Sequence, residues 1–316
     1  MWLKMIENVS VVVSVYSKDR LGYLLGCIDS LRRQLVKPFE VIVVLDPNPD
    51  LIEFYRARLN DDVRVVVSDR LGLSNARNAG VKSARGDIVA FIDDDAVADR
   101  DWLRNLLKNY EVPEVVGVGG LIKPLWESDR PIWFPEELDW IVGCSYKGLP
   151  EHRAYVRNPI GCNMSFRRKI FDEVGFFRSD IGRFGKLLLG SEETEFCIRI
   201  LEKNPCLKIV YEPSAVVYHR VSSDRVSFSY LLKRSFGEGL SKALIVNSGR
   251  NLNHALTTEN RYLRYLIGIA VPSRLKRFYN PESACHLASM LLSSCAVVGG
   301  FLVGKVLKVF DKGNNP

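Results

Sequence analysis

Apolar positions in the first hundred residues fall into two alternating rhythms. Ser10-Val-Val-Val-Ser-Val-Tyr16 predicts a strand buried on both faces, and Arg20 to Val36 then carries Leu21, Leu24, Leu25, Ile28, Leu31 and Leu35 at helical spacing. The alternation repeats. Phe39 to Leu45 predicts a second strand that stops at Asp46-Pro-Asn-Pro-Asp50, Leu51 to Leu59 a helix, and Val63 to Val67 a third strand. Leu73 to Ala84 predicts another helix, with Asn75, Arg77 and Asn78 near its start, and Asp87 to Ile92 a fourth strand. Such a series predicts an α/β fold, a mostly parallel sheet with helices on both faces, whose ligands bind beyond the carboxyl ends of the strands. Asp46 and Asp93 to Asp95 fall at those ends.

Past residue 100 the pattern loosens. A short helix over Asp101 to Asn109 and a strand over Val115 to Ile122 precede residues 124–157. There Trp126, Trp133, Phe134, Trp140 and several prolines predict a long irregular segment over a cleft, with most of the aromatics simply packing it down. Leu207 to Tyr211 and Ala215 to Tyr218 read as two short strands around Pro213, ending on His219. Tyr230 to Val246 predicts a basic helix with Lys233, Arg234 and Lys242, and Tyr262 to Val271 has an apolar side. Ser283 to Gly304 contains no Asp, Glu, Lys or Arg. Its core, Leu287 to Gly304, approaches the roughly 20 apolar residues that cross a bilayer. Arg274, Lys276 and Arg277 precede it and Lys305, Lys308 and Lys312 follow. Equal basic flanks suit a helix lying in the membrane plane nearly as well as a span.

Two acidic clusters carry the candidate chemistry. The run Gly86 to Ala96 ends its strand on Asp93, Asp94 and Asp95, three mutually repelling carboxylates that a divalent ion such as Mg²⁺ or Mn²⁺ would reconcile, unless they form a solvated turn. Glu192 and Glu193 open a helix with Phe196, Ile200 and Leu201 on its apolar face. They suit either a capped helix start behind Ser191 or a general base facing a metal-bound nucleotide diphosphate. His219 is either a third metal ligand or a structural imidazole. Gly161 to Arg167, with Asn163, lines an acceptor pocket or makes a turn.

Bulk composition adds limits. A net charge of +7 and pI near 9.0 call for an anionic partner: phosphate groups, nucleic acid or a lipid surface. Seven cysteines without CxxC spacing indicate neither a disulfide framework nor a zinc site. Met1 to Glu7 runs straight into the first strand and is not read as a leader, which places the catalytic part on the cytoplasmic side.

The ordered motifs Val9 to Tyr16, Glu40 to Asp46, Gly72 to Gly80, Ala84 to Asp95, Gly161 to Arg167 and Ser191 to Glu195 resemble those of family 2 glycosyltransferases with the GT-A fold. The resemblance runs from about Val9 to Tyr218. It implies a GT-A catalytic domain over residues 1–225, with a Rossmann-like sheet, and a membrane-associated helical region over 226–316. It also implies inverting, metal-dependent transfer from a nucleotide-diphosphate sugar. Ser14, Tyr16, Asp46, Arg77, Asn78, Asp93 and Asp94 are then the nucleotide-sugar candidates, and Asp95, Asp93 and His219 the metal candidates. Glu193 aligns with the base of the family, Glu192 stays a second candidate, and Asn163 and Arg234 are candidates for the acceptor or a phosphate. Two departures stand out. Leu45-Asp46 replaces the usual acidic pair, and Glu192-Glu193 replaces Glu-Asp. The basic, apolar C-terminus is most similar to prokaryotic enzymes acting on lipid-linked glycans, including archaeal dolichyl-phosphate enzymes, which implies a membrane surface and no nucleic acid as partner. Two competing readings are a sugar-1-phosphate nucleotidyltransferase and a non-catalytic subunit that binds sugar nucleotides.

Overall fold

The computed structural model describes residues 8–180, 190–248 and 256–313, with side chains to Val306. Met1 to Glu7 and the side chains of Lys308 and Lys312 lie outside the described residues. The expected alternation is realised over the first hundred residues. Strands β1 (Val9–Val15), β2 (Glu40–Leu45), β3 (Val63–Val67) and β4 (Ile88–Asp93) run parallel, with helices α1 (Leu21–Arg32), α2 (Pro49–Arg56) and α3 (Leu73–Ser83) between them. Valine and isoleucine on both faces of β1, β2 and β4 are buried, because helices cover the sheet on both sides.

The remaining strands turn the sheet mixed. β5 (Ala96–Ala98), β6 (Val115–Trp126), β7 (Ala154–Tyr155), β8 (Asn163–Arg167) and β9 (Lys208–Val221) complete it, in the order β3-β2-β1-β4-β8-β6-β9-β5, with β7 also on β9. β8 runs antiparallel between β4 and β6, and β5 and β7 run antiparallel to β9. The parallel character is therefore confined to the amino-terminal half and the β6–β9 pair. The two strands expected around Pro213 are one. A register shift opposite Gly120 and Leu121 bulges the chain there, which accommodates a residue that cannot donate to the ladder.

Helices α4 (Trp102–Leu107), α5 (Lys169–Val174) and α6 (Glu192–Lys203) complete the sheet half. Within the aromatic segment Phe134 is buried and Trp133 stacks on Phe228 at 4.1 Å, so these rings pack the loop down. The carboxyl-terminal part comprises α7 (Phe228–Asn247), α8 (Thr257–Tyr265), α9 (Val271–Leu275) and α10 (Pro281–Gly313), with a π-helical turn over Leu266–Ala270. Ion pairs tie it to the sheet half: Arg274 to Glu137 at 2.7 Å and Arg157 to Glu259 at 2.6 Å.

Candidate active site

The end of β4 delivers its carboxylates into three different environments. Asp93 stays on the rim, a third exposed, while Asp94 and Asp95 are buried. Arg20, just ahead of α1, grips Asp94 in a fork, Nε to Oδ2 at 2.9 Å and Nη2 to Oδ1 at 2.6 Å. Its Nη2 also lies 2.7 Å from Asp95 Oδ2, and Arg225 approaches that oxygen at 3.6 Å. β5 pairs Ala96 with His219 of β9, which sets the imidazole beside Asp95. His219 Nε2 stands 3.3 Å from Asp95 Oδ1, yet that oxygen is buried without a hydrogen-bond partner. Burial works against the charge on Asp95, but His219, Arg20 and Arg225 outweigh it and hold the carboxyl well below its usual range.

A buried, ionised oxygen with no donor beside an imidazole fits a divalent ion. Asp93, Cys162 and His219 also bring ligand atoms within 4.8 Å of one another. Burial pushes the Cys162 thiol well up, so it stays protonated and leaves the oxygen and imidazole donors that hard ions prefer. His219 links the expected metal residues: its ring belongs to the cluster with Asp93 and Cys162, while Asp95 lies outside that cluster and reaches it only through the 3.3 Å approach to His219. Cys162 and the clamp residues Arg20 and Arg225 were not anticipated. Their partners are remote in sequence, although Cys162 falls within the Gly161 to Arg167 motif and Arg20 at the start of the first expected helix.

The second acidic cluster begins α6. Arg77, buried on α3, joins it to the first: Nη1 to Glu192 at 2.5 Å, Nη2 to Asp93 at 3.4 Å and to the Gly161 carbonyl at 3.1 Å. Glu192 is therefore buried and committed to an ion pair, while Glu193 is half-buried. Burial, then the neighbouring Glu192, pushes the Glu193 carboxyl up to about 7 despite Arg77. Ser191 does not cap the helix. It adopts φ +77°, a costly conformation for a residue with a side chain, and its hydroxyl donates to Glu238 at 3.4 Å while accepting from Lys242 at 3.3 Å. Lys242 in turn pairs with Glu238 at 3.0 Å and Glu259 at 2.9 Å. A buried charge network on α7 and α8 thus fixes the entry to the Glu192-Glu193 pair.

The other anticipated residues divide. Asp46 accepts from the Gly72 backbone N–H at the start of α3, and burial raises its carboxyl. Ser14 lies in register with Asp93, and Tyr16 is exposed, with Arg20 over its ring. Arg234 pairs with Glu238 at 3.0 Å beside Gly190, close to the Glu193 end of the cleft. Asn78 is tied to Phe177 through both amide atoms. Asn163, expected at an acceptor pocket, is fully buried and clips strands together: it accepts from Trp102 Nε1 and donates to the carbonyls of Leu121 and Ala215. Its amide is used up, so it does not face a ligand.

Comparison with known proteins agrees with this geometry. The family model described as glycosyl transferase family 2 matches residues 10–175. The glucosyl-dolichyl phosphate glucuronosyltransferase of Haloferax volcanii is 35% identical over 98% of this chain and 100% of its own length. The succinoglycan biosynthesis protein ExoM of Rhizobium meliloti is 27% identical over 73% of each chain. Among solved structures, the mannosyltransferase PcManGT of Pyrobaculum calidifontis, solved with GDP-Man and Mn²⁺, superposes with a TM-score of 0.57 at 18% identity over 98% of this chain and 89% of its own. GalNAc-T7, solved with UDP, GalNAc and Mn²⁺, gives 0.53 at 14% identity over 84% of this chain and 57% of its own. With the GT-A architecture shared by these structures and a relative matched end to end, the chain belongs to glycosyl transferase family 2 and is a hexosyltransferase enzyme.

Proposed function

We propose that this enzyme transfers a hexosyl or hexuronosyl unit, with inversion, from a nucleotide-diphosphate sugar to a hydroxyl of a dolichyl- or polyprenyl-phosphate-linked glycan. The observation that carries the chemistry is that Arg77 ties Asp93 to Glu192 and so sets their neighbours on facing clusters: Asp95 with an oxygen that has no hydrogen-bond partner, and Glu193 with its carboxyl near 7. The acceptor class rests on the name of the Haloferax relative and on the apolar helix α10.

Asp95, His219 and Asp93 would hold Mg²⁺ or Mn²⁺. Bound there, the ion neutralises charge on the departing diphosphate. Asp46 and the Gly72 turn, with Ser14 and Tyr16, line the nucleotide end, and Asp93 contacts the ribose side. Glu193 removes the acceptor proton as the hydroxyl attacks the anomeric carbon. Its raised affinity for protons suits that task at neutral pH, where an appreciable fraction is ionised and the carboxylate is a stronger base than an ordinary glutamate. Glu192 serves as the anchor that keeps Arg77 in place, and Arg234 offers a cation on the Gly190 side for a phosphate. The catalytic domain faces the cytoplasm and the carboxyl-terminal helices meet the membrane.

The test is a panel of nucleotide sugars, UDP- and GDP-linked, with Mg²⁺ or Mn²⁺ and a glucosylated short-chain prenyl phosphate in detergent. Release of nucleoside diphosphate together with a lengthened lipid glycan supports the reading. Transfer only to water-soluble saccharides would overturn the acceptor assignment.

A further inference from the structure

Helix α10 is built inside out. The positions it turns to the protein are mostly small or polar, Ser283, Ser289, Ser293, Gly300 and Gly304, with Met290. Its outward face carries Leu291, Leu292, Val298, Leu302, Val303 and Val306, each between 42% and 66% exposed. A helix on a water-facing surface has the opposite arrangement. Pro281–Val306 is long and apolar enough to cross a membrane, and only 28% of its most apolar stretch is buried, which separates it from the core helix of a soluble protein.

The inward face pairs with α7 by close backbone approach. Ser235 and Ser293 share a hydrogen bond at 2.9 Å. A Cβ at Gly239 would sit 2.0 Å from the Val297 carbonyl oxygen, and one at Gly300 2.0 Å from that of Phe236. Small residues with interhelical hydroxyl bonds are how helices associate in lipid, where no hydrophobic drive exists between them. On α7, Phe228, Leu232 and Phe236 are exposed. The chain enters α10 through Leu275-Lys276-Arg277-Phe278-Tyr279, every one exposed, the aromatic and cationic mixture of a membrane interface.

The same pairing limits depth. α7 runs parallel to α10 along residues 293–304 and is held to the Gly190–Glu193 loop by Lys242, Glu238 and the Gly190 N–H bond to Ser241 at 3.1 Å. A transmembrane α10 would draw those charges into hydrocarbon or break from α7, and either is costly.

We infer that α10 lies in the plane of the membrane within one leaflet, with Leu291 to Val306 among the acyl chains and Lys276, Arg277 and Lys305 at anionic headgroups. This holds the Glu193 loop over the surface. The inference rests on the reading above only in that a lipid-borne acceptor gives the contact its purpose.

The chain supplies its own probes. Cys206 is exposed on the sheet half, and Cys285 and Cys295 on α10. The full-length protein is mixed with phosphatidylcholine vesicles, with or without phosphatidylglycerol, floated, and treated with a hydrophilic maleimide. Flotation favoured by phosphatidylglycerol, with Cys285 and Cys295 protected and Cys206 reactive, is expected. Bimane on Cys285, Cys295 and Val303→Cys should be quenched alike by a shallow spin-labelled lipid. A gradient of depth along these sites would establish a span and overturn the inference. Protection without vesicles, with a concentration-dependent rise in mass, would assign the face to a second copy and overturn it too. Leu291→Asp with Val298→Asp should weaken flotation on the order of tenfold or more, and an unchanged partition would also overturn it. Transfer to a short-chain acceptor in detergent is read in parallel. Transfer without flotation rejects the membrane face alone, and flotation without transfer to any lipid-linked acceptor rejects the proposed function alone.

Discussion

Two acidic clusters stand on either side of Arg77, and the protein treats them in opposite ways. At the end of β4, Asp94 and Asp95 are met by Arg20, Arg225 and His219, and Asp95 is held ionised. At the start of α6, the guanidinium goes to Glu192 and leaves Glu193 next to a like charge, half-buried, with its carboxyl raised to about 7. The first arrangement fixes the charge on Asp95, although burial raises the neighbouring Asp94 carboxyl to about 6 despite Arg20. The second keeps a proton exchangeable. Asp95 is therefore suited to stabilising a leaving group and Glu193 to accepting a proton, and the difference follows from the several cations around Asp95 against the burial and like charge around Glu193.

Removing the fixed charge should have the largest effect. Asp95→Ala eliminates the donor-free oxygen, and turnover should fall on the order of a thousandfold, with loss of Mn²⁺-dependent thermal stabilisation; full activity would end the assignment. Next, Glu193→Gln should cut kcat on the order of a hundredfold or more while donor binding by calorimetry stays intact. Wild-type kcat there would move the base elsewhere. Arg20→Met strands the buried Asp94, while Asp95 keeps His219 and Arg225, and should cost about 3 kcal/mol of stability, measured by urea unfolding. A change within error would mean that the clamp carries no structural weight.

These expectations also show what the sequence could convey. The β1–β4 alternation was legible because each strand and helix declares its own period, and the Asp93–Asp95 triplet because three adjacent carboxylates are conspicuous. Long-range pairings were not. Arg20 meets Asp94 across 74 positions, and Ala96 meets His219 through an antiparallel edge strand of three residues that no pattern announces. Ser191 looked like a helix cap, but Lys242, 51 positions later, claims its hydroxyl. Asn163 looked like a ligand residue because polarity in a small-residue motif suggests a pocket, whereas its amide joins three segments of backbone and side chain inside the sheet. Local chemistry was readable where its partners were local.

The smallest effect is the most discriminating between the clusters. Wild-type kcat, with Glu193 as base, should rise with pH through about 7, because the ionised carboxylate is the active form. Burial raises this carboxyl first and the charge of Glu192 next. Glu192→Gln removes that charge and leaves Arg77 without its closest anion, and both changes favour ionised Glu193. The acidic limb should therefore move down by about one pH unit, while kcat on the plateau changes little. Stability supplies a second reading. With its pKa raised when folded, Glu193 binds more protons in the native than in the unfolded chain between its ordinary 4.5 and about 7, so its contribution to stability declines as pH rises across that window. Glu192→Gln should flatten that decline. A limb fixed at 7 in the variant would detach the ionisation from this carboxylate pair and place the proton acceptor outside α6.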